Sequence, residues 1–135
     1  MPAELIAALE GARAAEKAQA LFYRALAAQA EARGDGALSE RLNELHADEQ
    51  HHLSRLTARL LELDAAPADL ARLAADPADV DGWEAVARPR EQAEVRRYEA
   101  LLAGEPDPHT AALLRDILDT ERHHAEELGG KWTVA

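Results

Sequence analysis

Residues 42–60 read LNELHADEQHHLSRLTARL, and residues 114–128 read LRDILDTERHHAEEL. Both stretches place apolar residues at helical spacing, and each carries a Glu-x-x-His sequence in the middle of its apolar face, Glu49–His52 and Glu121–His124. A carboxylate and an imidazole at positions i and i+3 are neighbours on one side of a helix. Each stretch therefore predicts an amphipathic helix whose buried face presents a carboxylate and an imidazole side by side.

The composition favours helices over the rest of the chain as well. The 135 residues are rich in Ala, Leu, Glu and Arg, which are good helix formers, and poor in the β-branched and aromatic residues that favour strands. No run alternates apolar and polar residues for long enough to form a strand. A chain of 135 residues is long enough to bury one hydrophobic core. We predict a single all-α domain over residues 1–135.

Glycine, proline and aspartate divide this domain into four long helices. Asp107 and Pro108 supply an N-cap and a first helical residue, and Pro89 predicts a kink or a broken first turn in the third helix. Two hairpins joined by a long connection form an antiparallel four-helix bundle with one long crossover between helices 2 and 3. The predicted helices cover residues 3–33, 37–63, 82–103 and 108–128, with a crossover over 64–81 that contains a short helix near 68–75.

Charge and cysteine content exclude several classes of protein. Asp and Glu outnumber Lys and Arg by 26 to 15, which leaves a formal charge of −11 and no basic surplus for binding nucleic acid. There is no Cys, so disulfides, thiolate zinc sites and iron–sulfur clusters are excluded. No stretch resembles a signal peptide or a membrane span, so we expect a cytoplasmic protein that binds no membrane.

Two further carboxylates interrupt apolar faces. Glu16 falls between Ala12 and Tyr23 on the first helix, and Glu91 is in line with Tyr98 on the third. Burying an unpaired carboxylate costs several kcal/mol, and several carboxylates at one level of a bundle repel one another. A bound cation, or two, makes such a layer tolerable.

The register of each hairpin brings these carboxylates together. In an antiparallel hairpin, residues at equal distance from the turn face each other. The midpoint of Glu16 and Glu49 is position 32.5, beside the first turn, and the midpoint of Glu91 and Glu121 is position 106, within the second loop. Each lone Glu is therefore expected to face the Glu-x-x-His of its own hairpin.

An internal repeat supports the same conclusion. One Glu-x-x-His carries little information, because 16 Glu and 6 His produce roughly 0.7 by chance. Here it occurs twice, at an offset of 72 residues, and a Glu followed seven residues later by Tyr also occurs twice, at an offset of 75. Two similar hairpins predict a near-symmetric two-metal site with these ligands: Glu16, Glu49, His52, Glu91, Glu121 and His124.

From Glu16 to His124 the chain resembles the ferritin-like superfamily of di-iron carboxylate proteins, and most closely its rubrerythrin-like members. The resemblance implies bridging carboxylates at Glu49 and Glu121, and terminal carboxylates, one per metal, at Glu16 and Glu91. It also implies one imidazole ligand per metal, at His52 and His124.

The same resemblance implies roles for three more residues. Tyr23 and Tyr98 correspond to tyrosines beside the site, and Glu94 to an extra carboxylate that joins the ligand set. No rubredoxin-like module is present, because there is no Cys, so peroxidase turnover would need an external electron donor.

Ligand type and resemblance together suggest the chemistry. Carboxylates with two imidazoles suit iron or manganese, the resemblance favours two iron ions, and zinc could occupy the site. We expect a di-iron oxidoreductase that reacts ferrous iron with peroxide or dioxygen, in a homodimer or larger homo-oligomer. The alternatives are an iron-binding or storage protein, a substrate hydroxylase, and a non-catalytic metal-binding helical module.

The remaining histidine and tryptophan side chains carry no site argument. We expect His46 and His109 to be ordinary surface residues, and Trp83 and Trp132 to serve packing or an interface.

Overall fold

The computed structural model describes residues 2–128, which form four helices: α1 (Pro2–Ala32), α2 (Gly36–Glu62), α3 (Trp83–Ala103) and α4 (Pro108–Glu126). No strand occurs in these residues, so the all-α prediction is confirmed. Every helix begins and ends within two residues of its predicted position. Trp132 lies outside the described residues. The chain divides into two compact units between Trp83 and Glu84.

A left-handed glycine and an aspartate cap form the turn between α1 and α2 in the first unit. Gly34 has a φ of 74°, a conformation that glycine adopts without steric cost. The N–H of Asp35 donates to the carbonyl of Ala30 at 3.0 Å, which closes the last turn of α1. Oδ1 of Asp35 accepts from the N–H of Leu38 at 3.1 Å and caps α2. The two helices therefore run antiparallel through a short connection.

The crossover between α2 and α3 contains no helix, and the short helix predicted near residues 68–75 is wrong. Its first half is bound to α1 through Ala68, whose N–H donates to Oε1 of Glu10 at 2.9 Å and whose carbonyl accepts from Nη1 of Arg13 at 2.8 Å. Backbone groups that bond to side chains in this way are not available to a helix. An extended chain also covers about 3.3 Å per residue, against ~1.5 Å in a helix.

The second half of the crossover is bound to the end of α1. Nε2 of Gln29 donates to the carbonyl of Ala78 at 2.7 Å, and its Oε1 accepts from the N–H of Val80 at 2.8 Å. Arg33 donates from both terminal nitrogens to the two carboxylate oxygens of Asp81, at 2.6 and 2.9 Å. This bidentate hydrogen bond is the main reason why the pKa of Asp81 lies below its ordinary value and the pKa of Arg33 above its own.

In the second unit, α3 is continuous through Pro89. Of the two alternatives predicted there, the broken first turn is wrong and the kink stays a prediction. Pro89 cannot donate the helical hydrogen bond to the carbonyl of Ala85. Because α3 begins at Trp83, little more than one turn lies upstream to accommodate the proline ring. The helix absorbs the proline near its amino end, where the fewest helical bonds depend on it.

The N-cap predicted for α4 is present. Oδ2 of Asp107 accepts from the N–H of Thr110 at 3.1 Å, and its Oδ1 accepts from the Thr110 hydroxyl at 2.7 Å. Pro108 follows in the first turn, where its missing N–H costs no helical hydrogen bond. Local sequence therefore determines where α4 begins.

The predicted apolar faces of α2 and α4 are the buried ones. Within them, the polar positions predicted from the sequence are buried together with the leucines. In α2 the buried residues are Leu42, Leu45, Glu49, His52, Leu56 and Leu60. In α4 they are Thr110, Ala111, Leu113, Leu114, Ile117, Leu118, Glu121 and His124. None of the helices in residues 2–128 combines the length and the apolar content that crossing a bilayer would take.

Candidate metal centre

Helices α1 and α2 bring three ligand-type side chains together in the first unit. Nδ1 of His52 lies 3.5 Å from Oε1 of Glu16 and 3.7 Å from Oε1 of Glu49. Glu16 and Glu49 are 0% exposed and His52 is 4% exposed. We call these residues triad 1; one ligand atom from each lies within 4.8 Å of the others. The i, i+3 spacing on α2 and the register of the hairpin produce this contact, as the sequence predicts.

Helices α3 and α4 repeat the arrangement in the second unit. Nδ1 of His124 lies 3.4 Å from Oε2 of Glu91 and 3.3 Å from Oε1 of Glu121. Both carboxylates are 0% exposed and the imidazole is 1% exposed. These residues are triad 2, and their ligand atoms also lie within 4.8 Å of one another. Each triad thus places two carboxylates and one imidazole in the core.

The chemistry of both triads fits a metal ion. With a neutral imidazole, each triad carries a formal charge of about −2 in a core where unpaired charge costs several kcal/mol. A divalent cation offsets that charge, and carboxylate oxygens with an imidazole nitrogen are ordinary ligands for iron, manganese or zinc. In both histidines Nδ1 is the nitrogen that faces the carboxylates, so Nδ1 is the atom that would bind a metal once it carries no proton.

Glu94 is buried and lies on α3 one helical turn after Glu91, a member of triad 2. It is 5% exposed, and its Oε2 lies 3.6 Å from Nε of Arg97. The groups of described residues whose ligand atoms lie within 4.8 Å of one another do not include Glu94. The matching position on α1 is Gln19, which is 3% exposed. The two hairpins therefore differ at this position by one buried negative charge.

Tyr23 and Tyr98 are both 0% exposed, seven residues after the lone carboxylate of their own helix. The ring of Tyr23 also meets the ring of Phe22 edge to face, with centroids 5.2 Å apart. Both rings belong to the buried core, and their role beside a metal stays a prediction.

His46 differs from its prediction, and the residues that anchor the crossover were not predicted. Expected on the surface, His46 is half-buried, and its Nδ1 donates to the carbonyl of Ala20 at 2.9 Å, linking α2 to α1. Gln29 and Arg13 bind backbone carbonyls of the crossover. The spacing of these residues does not identify such contacts. A backbone carbonyl is present at every residue, so the partner's position shows no characteristic residue type.

Known proteins share this fold. The structure is similar to that of a bacterioferritin from Desulfovibrio desulfuricans, whose diiron site has been described in different catalytic states. The TM-score is 0.86 at 22% sequence identity, and the match covers 96% of this chain and 78% of that chain. At this identity the likeness shows the fold, a ferritin-like four-helix bundle.

A search of curated proteins gave no match. The family model described as the ferritin-like domain matches residues 6–131, which is nearly the whole chain. The chain therefore belongs to the ferritin-like domain family.

Proposed function

We propose that triads 1 and 2 act together as one dinuclear metal centre that binds two iron ions. The observation that carries the proposal is the duplication itself: the same buried set of two carboxylates and one imidazole is built twice in one chain, with matching distances. A single set could be a buried ion pair. Two sets in a ferritin-like chain are better explained by two metal ions.

Ligand roles in this proposal follow the resemblance to di-iron carboxylate proteins. Glu49 and Glu121, each one turn before its histidine, would be the carboxylates shared by the two ions, whereas Glu16 and Glu91 would each hold one ion. His52 and His124 each supply one imidazole. Iron is proposed because an oxygen-rich set with two imidazoles suits iron or manganese; zinc could also occupy the site.

Three further residues, outside the two triads, belong to the proposal. Glu94 would become an additional carboxylate ligand beside Glu91 if its side chain released Arg97 and turned to the metal. Tyr23 and Tyr98 supply phenol groups on the same helices as the terminal carboxylates, and we propose that they lie beside the reacting oxidant.

The proposed activity is that of an oxidoreductase of the peroxidase or ferroxidase type, as in rubrerythrin-like proteins. A pair of ferrous ions supplies two electrons, which is the number that reduces peroxide to water or dioxygen to peroxide. The four carboxylates of the triads offset the positive charge that this oxidation adds, and their burial keeps bulk water away. Because these 135 residues contain no Cys, repeated turnover takes its electrons from an external donor.

Iron binding and storage is the second candidate function. The likeness to a bacterioferritin with a diiron site favours it. Storage differs from catalysis in what happens after oxidation: a storage protein retains ferric iron beyond two ions per chain, whereas a peroxidase is re-reduced and consumes more oxidant. A protein that binds two metals and oxidises neither would be a metal-binding helical module.

Anaerobic iron titration followed by stopped-flow oxidation tests the proposal. We expect the protein to bind two ferrous ions per chain and to oxidise them faster with peroxide than free ferrous iron reacts in buffer. The variant Glu49→Gln should lose at least tenfold in rate. Glu44→Gln is the matched control, because Glu44 lies on the same helix with its side chain 61% exposed.

The outcomes separate the candidates. Oxidation by dioxygen with retention of further ferric iron would favour storage, and repeated peroxide consumption with an added reductant would favour a peroxidase. Equal rates for the wild type and Glu49→Gln would refute a role for triad 1 in the chemistry.

The proposal also includes self-association in the cytoplasm. A small chain with a charge of −11 buries limited surface alone, and we propose a homodimer at least. Sedimentation equilibrium of the metal-loaded protein measures this directly, and a monomer at micromolar concentration would rule it out.

A further inference from the structure

A groove of about 510 Å³ lies on the first unit, between α1, α2 and the crossover. Its volume is within the range of about 300–1,000 Å³ that is usual for small-molecule sites. We call it the crossover groove. It combines two cationic side chains with apolar walls, and the residues that matter here are Arg13, Lys17, Leu53, Thr57, Leu61 and Leu70.

One wall of the groove is held in place by Arg13, whose side chain is only 12% exposed. Its Nε donates to Oγ1 of Thr57 at 2.7 Å, and its Nη1 donates to the carbonyl of Ala68 at 2.8 Å and to Oε2 of Glu10 at 3.3 Å. The guanidinium thus ties α1 to α2 and to the crossover. The groove is therefore built by specific polar contacts.

Lys17 supplies the unused charge in the groove. Its side chain is half-buried on α1, and within residues 2–128 its ammonium has neither a hydrogen bond nor an ion pair. Asp69 precedes the lining residue Leu70 in sequence, and its Oδ1 accepts from the N–H of Ala71 at 2.9 Å. An amine held against an apolar wall is a strong partner for one carboxylate.

Three leucines supply the apolar part of the groove. Leu53 and Leu61 line the groove from α2, and Leu70 lines it from the crossover. Leu61 is 58% exposed, one of two large apolar side chains that the described residues leave exposed. A ligand with an aliphatic part would remove this surface from water, which is favourable in proportion to the apolar area that is buried.

We propose that the crossover groove binds a small amphiphilic carboxylate, with its carboxylate at Lys17 and its aliphatic chain along Leu53, Leu61 and Leu70. The positive charge of Lys17 attracts a carboxylate only at short range, because the protein as a whole carries −11 and repels anions at a distance. The free ammonium selects the headgroup, and the leucines select the chain. The site does not depend on a metal in the triads.

Calorimetric titration with decanoate tests this assignment. We expect one saturable site per chain in the wild type, with at least tenfold weaker binding for Lys17→Gln and for Leu61→Asp. Arg115→Gln, an exposed charge change on α4, should bind within twofold of the wild type. Decyltrimethylammonium, which has the same chain and the opposite charge, should not bind.

A second measurement uses the wild type alone. The chain has two lysines, Lys17 and Lys131. Saturating decanoate should slow the reductive methylation of Lys17 by formaldehyde, measured by mass spectrometry, and leave Lys131 unchanged.

Several results would overturn the assignment. They are an absence of saturable decanoate binding, equal affinity in Lys17→Gln, equal binding of the cationic amphiphile, and unchanged methylation of Lys17. If decanoate fails to bind while Leu61→Asp dissociates an oligomer in sedimentation, the groove is a surface for a second copy of the chain, and the proposal is wrong.

Discussion

Nδ1 of His52 on α2 lies 3.5 Å from Oε1 of Glu16 on α1. The contact joins side chains from the two helices of the first hairpin, and it forms because both residues are equally far from the turn at Gly34. The second hairpin repeats it, with Nδ1 of His124 3.4 Å from Oε2 of Glu91. Each imidazole is therefore positioned by a carboxylate of the neighbouring helix, and changes at one helix should affect metal binding by the other.

Metal content should follow the triads. We expect two metal ions per chain in the wild type after anaerobic loading with iron, and at most one in Glu121→Gln, because this change removes a charged ligand from the buried set. Elemental analysis of the desalted protein measures the ratio. Glu126→Gln is the control, since Glu126 is exposed on the same helix. Two tightly held ions in Glu121→Gln would contradict the assignment.

Metal removal should lower stability. Binding to the folded state alone contributes about 3–4 kcal/mol when the metal exceeds its Kd 100- to 1,000-fold. For a chain of this size, that corresponds to a fall in Tm of roughly 5–15 °C after chelation, measured by calorimetry. Glu121→Gln should show little of this response. A melting curve that chelation leaves unchanged would argue against a metal bound in the core.

The Arg33–Asp81 pair should be visible as a depressed pKa. The bidentate contact favours the charged carboxylate, so the pKa of Asp81 lies below its ordinary 3.8. The pair therefore contributes stability above that value and loses it as the pH falls through the lower folded pKa. In Arg33→Gln the pKa should return towards 3.8, measured by NMR titration of the Asp81 carboxyl carbon.

Arg24→Gln is the control for this titration, because Arg24 lies on α1, the helix that Arg33 directly follows, and donates to Asn43 at 3.3 Å. An Asp81 pKa that is the same in the wild type and in Arg33→Gln would show that the pair does not persist in solution. High salt should reduce the difference, since both side chains are exposed.

Replacing Pro89 should stabilise α3. Pro89 lies inside a continuous helix, where proline is about 3 kcal/mol less favourable than alanine. The gain is partly offset because proline also restricts the unfolded chain by up to about 1 kcal/mol. We expect Pro89→Ala to raise the free energy of unfolding by about 1–2 kcal/mol in urea denaturation. Pro108→Ala, in the first turn of α4, should change it by less than about 0.5 kcal/mol.

Both triads could be predicted from the sequence because their determinants are local or depend only on residue number. Glu49 and His52 share a face through i, i+3 spacing, and Glu16 faces them because a short turn sets the register of an antiparallel hairpin. The turn itself follows from Gly34 and Asp35, whose conformational preferences need no tertiary contact. Composition, together with the absence of a long alternating apolar and polar run, was sufficient to predict a chain without strands.

The course of the crossover was decided by tertiary contacts. Glu10 binds the N–H of a residue 58 positions later, and Gln29 binds one 51 positions later. Such hydrogen bonds have no periodicity in sequence and outweigh the helix propensity of residues 68–75, since an alanine-rich segment of eight residues is too short to be stable as an isolated helix. The half-buried state of His46 has the same cause, because its partner is a backbone carbonyl on another helix. Spacing and turn chemistry are encoded in neighbouring residues, whereas side chain to backbone contacts between distant segments exist only after the helices have packed.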